Sequence, residues 1–506
     1  MNTALSRALI VIGLLAGLLP VATLARHGGK DDAPPQPALA ARAVEGGDES
    51  QSHRHGARPH PSQEKARAQP SAAGRTHATR LKNGLQVVVK EDRRAPTAVQ
   101  MLWYRAGAMD EKDGTSGVAH VLEHMMFKGT KNHAAGEFNR IVAEAGGRDN
   151  AFTSLDYTAY FQQVPKAALA KMMAIEADRM ANLKLTAEEF AQEIKVVMEE
   201  RRLRTEDNPR ALVHEALNAT AYRAHPYRRP VIGWMNDLEH MSWRDARAWY
   251  EQWYAPNNAI LVVVGDVDHR EVFRQAEKYF GPIRPRVLPE RKPQREPEQK
   301  GIQRAVVKAP AKLPYLAMGW KTPRLADVAA DSDPYALEVL AAVLEGHEAA
   351  RLPRRLVREQ KIAQSVGAGY DALARGEPLF ILVGQPAEGR TVEELEAALR
   401  AELRHIAEEG VAETELQRVK VQLVAAQTYK RDSMMAQAME IGQLEASGYS
   451  WRDQERIIER LKAVTAAEVQ AVAQRYFIDD RLTVVRLDPQ PLDTFQPRRS
   501  FAAPRH

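Results

Sequence analysis

Five consecutive residues, His120-Val121-Leu122-Glu123-His124, carry the side chains best suited to chemistry in this chain. The two histidines stand four apart, so on a helix both imidazoles project from one face. That spacing brings two neutral nitrogens within reach of one cation at about 2.0–2.1 Å. Glu123 falls on the same side and can sit beside a metal without ligating it. A carboxylate there can take a proton from a polarised water and pass it to a leaving group. Val118, Val121, Leu122, Met125 and Met126 make the segment apolar nearly all round. Polar groups buried in such a helix need partners, which weighs against the plain alternative of two histidines and an unrelated glutamate.

A third ligand must come from elsewhere. A helix is expected over Thr186–Arg204, where Glu193 and Glu200 are seven apart and share a face, with Val196 and Val197 read as lying between them on that face. Two carboxylates on an apolar stripe are costly unless paired or metal-bound. Glu200 is therefore the expected ligand, and Glu193 the partner that orients a histidine or the water. Glu199 is rotated about 100° from Glu200 and is expected in solvent or in a salt bridge. Two histidines and one carboxylate leave a position open, the pattern of a catalytic zinc site rather than a closed structural one. The chain has no Cys, which excludes thiolate ligands, a thiol nucleophile and disulfides.

These side chains need a scaffold. Asn83-Gly84 ahead of Gln86-Val87-Val88-Val89 predicts a strand hairpin. A second strand is read over 98–105. Gly117–Lys128 is expected to be helical, with Thr115 or Ser116 as its N-cap and Gly129 as its stop. Helices are also expected over 138–144, 166–182 and 242–254, and strands over 158–164 and 259–265. Beyond a Pro- and charge-rich linker, strands (315–320, 380–384) again mix with helices (335–344, 392–409, 413–429). A unit recurs: the helix from Ser242 leads through Pro256-Asn257-Asn258 into Ile260-Leu261-Val262-Val263-Val264. The helix from Thr465 leads through Asp479-Asp480-Arg481 into Leu482-Thr483-Val484-Val485. The fold class read from this is α+β: two homologous domains, each a mostly antiparallel sheet packed with helices.

The chain is 506 residues long, enough for more than one domain, with 44% hydrophobic and 27% charged residues, as in globular proteins. Its net charge of +5 is spread along the chain and lacks the dense basic stripe that nucleic acid requires. A short basic start, an apolar run from Ala8 to Leu24 and small residues before Arg26 form the pattern of a secretory signal peptide over 1–25, the alternative being an uncleaved anchor. No second run is long enough to span a membrane. Export without cysteines fits a bacterial periplasm. The expected division continues with a disordered His/Pro/Ala-rich tether over 26–78, a zinc-binding domain over 79–284, a linker over 285–301, a second homologous domain over 302–490 and a tail over 491–506. The tether's His27, His53, His55 and His60 could collect metal weakly, although a solvated linker explains them as well.

The whole pattern resembles the pitrilysin/insulinase family of inverted-motif zinc peptidases, and in particular its short two-domain branch, which includes mitochondrial processing peptidase. The resemblance rests on Asn83-Gly84-Leu85, the run Gly117–Thr130, Gly146-Gly147, Asn150–Asp156, Glu193 through Glu200, His225-Pro226-Tyr227, Ile232-Gly233-Trp234 and Tyr254–Ala259 before Gly265-Asp266. It covers roughly residues 79–489. It implies Zn2+ on His120, His124 and Glu200, with Glu123 as general base. It also implies that peptide substrates add as an edge strand near Asn150, Ala151, Phe152 and Thr153. Active members use an Arg and a Tyr from the second half to steady the substrate carbonyl. Arg358 matches the first, but Gln364 stands where the Tyr is expected and the segment is one residue short; Tyr370 is the alternative tyrosine. In two-chain members a zinc-less homologous subunit supplies missing groups, so a homodimer and a heterodimer both stay open. The expectation is an exported metalloendopeptidase for peptides or small unfolded proteins. The competing readings are a non-catalytic or partner-dependent subunit and, third, a metal carrier.

Overall fold

Residues 73–492 are described in the computed structural model of the protein. The expected signal peptide, most of the expected tether and nearly all of the tail lie outside these residues.

The first half forms a six-stranded sheet: β1 (Ala73–Arg80), β2 (Gln86–Asp92), β3 (Thr97–Tyr104), β4 (Arg148–Thr153), β5 (Thr158–Pro165) and β6 (Ala259–Gly265), in the order β1-β2-β6-β3-β5-β4. Only β2 and β6 run parallel. β1 starts at Ala73, so the tether boundary expected at residue 78 falls six residues late; paired to β2, this polar strand needs no apolar period of its own. The β1–β2 turn is set by Gly84, at φ +91°. A side chain there would put Cβ 2.7 Å from that of Asn257.

Every residue of β6 is buried. Its alternate residues serve different cores. Leu261 and Val263 face the helices of their own half, together with Leu102 and Tyr104 of β3. Ile260, Val262 and Val264 face the other way, with Met101 and Trp103. What covers this second face comes from the far half of the chain: the helix Met434–Ser447, through Ala438 and Ile441.

The second half repeats the design with β7 (Gln303–Pro310), β8 (Tyr315–Lys321), β9 (Ala363–Gly369), β10 (Leu379–Pro386) and β11 (Leu482–Gln490), in the order β7-β11-β8-β10-β9. β11 pairs parallel with β7 and antiparallel with β8, as β6 does with β2 and β3. The fold is therefore α+β with two like halves, each a mostly antiparallel sheet. The exchange is reciprocal: the first half's helix Pro209–Ala221 lays Val213, Leu217 and Ala221 against Ala317, Val485 and Leu487 of the second sheet. The connection over 284–301 has no helix or strand, yet it is fastened. Glu296 accepts N–H bonds from Arg223, Ala224 and His225, and Arg291 pairs with Asp110. None of the described helices is long and apolar enough to cross a membrane.

Candidate metal centre

The motif lies on the helix Val118–Met125, packed between sheet and neighbouring helices through Val118, Val121, Leu122 and Met125. Its start differs from the sequence expectation. Gly117, at φ +87°, is the N-cap and offers no side chain. The helix-start N–H groups of Gly117 and Ala119 instead donate to the buried Glu111 carboxylate, each at 2.9 Å. Ser116 is used elsewhere: its Oγ donates to Asp237 at 2.6 Å and accepts from the Trp234 N–H. Gly117 and Gly233 cross so closely that a Cβ on Gly117 would meet the Ile232 carbonyl oxygen at 2.6 Å.

The carboxylate helix runs Ala187–Arg201, capped by Thr186, and passes into a single π-helical turn at Arg202–Glu206 instead of continuing to Arg204 as α-helix. Such turns recur at functional sites. Glu193, Val197 and Arg201 are buried. Val196 is 51% exposed and does not share their face, contrary to the reading of an apolar stripe through both valines; one residue is a 100° step. Glu199 pairs with Arg202 at the surface.

Ligating atoms of His120, His124 and Glu200 all lie within 4.8 Å of one another. Nε2 of His124 is 3.2 Å and Nε2 of His120 3.8 Å from Glu200 Oε2. Ligands about 2.0–2.1 Å from a tetrahedral cation stand roughly 3.3 Å apart, so this donor set fits. Glu193 Oε1 is 2.9 Å from His124 Nδ1, and its other oxygen receives Lys128 Nζ at 2.5 Å. Arg204 pairs with the second oxygen of Glu200. Glu123 bonds none of these; its Oε2 accepts from the Thr153 hydroxyl at 2.5 Å.

Burial, then the neighbouring His124, drives the His120 imidazole down to about 3, so it stays neutral, as a ligand must be. Its Nδ1 is buried with no hydrogen-bond partner, and 3.8 Å is too long for a hydrogen bond to Glu200. Burial lowers His124 too, but bonds to Glu193 and Glu200 outweigh it and hold the group up at about 9. Glu200 is pushed up by burial and pulled to about 2 by the histidines and Arg204. Without a cation, the two carboxylates on His124 hold that ring protonated; a divalent cation would take over this positive charge and leave both rings neutral. Burial lifts Glu123 to about 7, against the pull of Thr153, in the range suited to a general base.

β4 is the outer strand of the first sheet, hydrogen-bonded only to β5. Asn150 is exposed and Ala151 and Thr153 are half-buried. The Phe152 ring is spent in the core, edge-on to Trp103 at 5.4 Å; alternation along the strand puts it there, so its side chain is not available to a peptide. Arg358 is exposed on the second half's π-helical segment Pro353–Glu359, and Gln364 is exposed on β9. Neither hydrogen-bonds nor ion-pairs with the motif residues among the described residues. Tyr370 is buried with its hydroxyl donated to the Pro323 carbonyl, and so cannot replace the missing tyrosine.

The family model "Insulinase (Peptidase family M16)" matches residues 86–234, and "Peptidase M16 inactive domain" matches 241–423. A relative named zinc protease PqqE, from Helicobacter pylori, is 32% identical over 419 residues, which are 81% of this chain and 92% of that protein. The chain belongs to the insulinase family of peptidases. A protease structure from Helicobacter pylori superposes with a TM-score of 0.78 at 30% identity, covering 82% of this chain and all (100%) of that one. A family M16 structure from Pseudomonas fluorescens gives 0.74 at 16% identity (82% and 98% covered), which shows the shared fold. Within this insulinase-family chain, four polar residues at the site were not singled out by sequence reasoning: Lys128, Arg204, Glu111 and, as the partner of Glu123, Thr153. Arg204 stands four residues after Glu200, a spacing that signals a shared helix face; Lys128 lies past the end of the motif helix and reaches Glu193 on another helix, which no local spacing signals. Glu111 carries no such signal.

Proposed function

We propose that the chain is an exported zinc-dependent metalloendopeptidase acting on peptides or small unfolded proteins. The observation that carries this reading is the convergence of His120, His124 and Glu200 within 4.8 Å, beside Glu123 and the open edge of β4. His120, His124 and Glu200 would hold the zinc ion. Bound there, it would supply Lewis acidity to a carbonyl and to water. Glu123 takes a proton from the attacking water and returns it to the leaving amine. The β4 backbone aligns the peptide as a further strand, and Thr153, the last residue of that strand, holds Glu123 at the point where the peptide passes. Glu193 fixes the His124 ring so that its Nε2 faces Glu200. The zinc-protease names of the relatives support the metal and the reaction class. The apolar segment at Ala8–Leu24 and the likeness to the periplasmic protease PqqL from Escherichia coli (TM-score 0.67, 19% identity, 82% and 48% covered) accord with export.

The deciding experiment combines metal analysis with cleavage of unstructured peptides by wild type and Glu123→Gln. Bound zinc, with cleavage lost only in the variant, is the expected result; a wild type that binds no zinc would overturn the reading. The exposed Arg358 and Gln364 favour a second reading, in which a partner chain completes the site. That predicts zinc binding without cleavage until a homologous subunit is added.

A further inference from the structure

We propose that His77, Glu91 and His269 form a second site for a divalent transition-metal cation, separate from the motif helix. Three elements supply it: β1, β2 and the first turn of the helix His269–Phe280. Among the described residues, this trio and the motif trio are the two groups whose candidate ligand atoms converge within 4.8 Å. Glu91 Oε1 is 2.8 Å from His269 Nδ1 and also accepts the His269 backbone N–H at 3.1 Å. The His77 ring lies on that of His269, with centroids 3.6 Å apart and planes 4° off parallel.

The donor types select the class of ion. Two imidazoles and one carboxylate suit zinc, copper, nickel or cobalt; calcium and magnesium take all-oxygen sites. The Glu91 and His269 side chains are 18% and 22% exposed, so an ion can enter and the ligands are still held on regular elements. Stacked rings direct their lone pairs side by side, so joint ligation requires one ring to turn. The Glu91–His269 hydrogen bond then gives way to coordination at about 2.0–2.1 Å. β2 lies four strand steps from β4 in the order β2-β6-β3-β5-β4, roughly 19 Å at the usual spacing. The site is therefore remote from Glu123 and takes no part in the reaction. It pins the outermost strand, β1, which is otherwise held in the sheet by β2 alone, to a helix of the same half.

The test is zinc stoichiometry of the full chain after chelator treatment and reloading, with thermal unfolding followed in parallel. Wild type is expected to hold one equivalent more than His77→Gln or His269→Ala, and zinc should raise its Tm more than theirs. His27, His53, His55 and His60 are shared by every variant and cancel in that difference. The double variant His120→Ala/His124→Ala should lose a different equivalent and keep this one, which separates this inference from the peptidase reading. With cobalt, the extra equivalent should add visible absorption in wild type and in the double variant, absent in His77→Gln. His77 lies on an edge strand, so His77→Gln keeps the test sound if His269→Ala fails to fold. A folded His77→Gln that binds as much zinc as wild type, with the same Tm shift, would overturn the proposal and leave the trio as a stacked helix cap.

Discussion

Glu193 holds His124 from the side opposite Glu200: its Oε1 lies 2.9 Å from His124 Nδ1, while Nε2 of the same ring is 3.2 Å from Glu200. One ring is thus gripped at both nitrogens by two carboxylates seven residues, about two helical turns, apart, which fixes its direction. Glu193→Ala should lower zinc affinity by about 10- to 100-fold with the fold intact. Competition against a chromogenic chelator measures this; unchanged affinity would remove Glu193 from the site.

Glu123 bonds neither histidine nor Glu200, and its removal should spare the metal. Glu123→Gln is expected to keep full zinc content and to lose about 10²- to 10⁴-fold in kcat. His120→Ala and Glu200→Ala should lose the motif-site equivalent of zinc and activity together. Metal analysis alongside peptide hydrolysis separates the two outcomes.

The Thr153 hydroxyl donates to Glu123 from the edge strand that is proposed to bind substrate. A hydrogen bond to a charged group contributes about 1.5–3 kcal/mol. Thr153→Val should therefore lower kcat/KM by roughly 10- to 100-fold, and Thr153→Ser should restore most of it. Equal activity in the Val and Ser variants would mean that the contact is incidental.

Stability against acid should depend on His225, which is buried where the halves meet and whose Nδ1 accepts the Tyr227 N–H at 3.2 Å. Burial first, and Arg229 in the same direction, drive this imidazole from about 6.5 down to about 4, with Glu296 opposing. The folded state therefore disfavours the protonated ring. The contribution is fully present above about pH 6.5 and is lost as pH falls towards 4. Between pH 7 and 4.5, wild type should lose roughly 1–2 kcal/mol more than His225→Asn. Urea unfolding at both pH values reads the difference.

The exchanged helices should be as important as either core. Gly442 of the helix Met434–Ser447 lies so close to Trp103 that a Cβ would come within 2.0 Å of the indole. Gly442→Ala should cost about 1–3 kcal/mol by overpacking and lower the Tm of the protein. A Tm equal to wild type would show that this contact can relax freely.

Much of the site is legible in the sequence because its chemistry is helical and local. Residues four apart share a helix face whatever the rest of the chain does, so His120, His124 and Glu123 could be read as one constellation. The seven-residue spacing likewise linked Glu193 to Glu200. The same rule overreached at Val196, where one residue of rotation turns the side chain outward. The repeat of helix, turn and strand also stood in the sequence, because β6 and β11 occupy matching places in two like sheets.

Other features depend on pairings between distant segments, which no local pattern records. Glu111 caps the motif helix from outside it because the chain leaves Ser116 for Asp237 and crosses at Gly117 and Gly233. Phe152 turns into the core because a strand alternates, and only the docked helix Met434–Ser447 makes that face an interior. His77, Glu91 and His269 are scattered through the sequence and meet only because β1 pairs with β2 beneath the start of a helix far along the chain. Sequence determined the candidate ligand types, their spacing on each helix and the two-fold repetition. Tertiary structure decided which helix faces which, since that choice follows from burying apolar surface shared between segments more than a hundred residues apart.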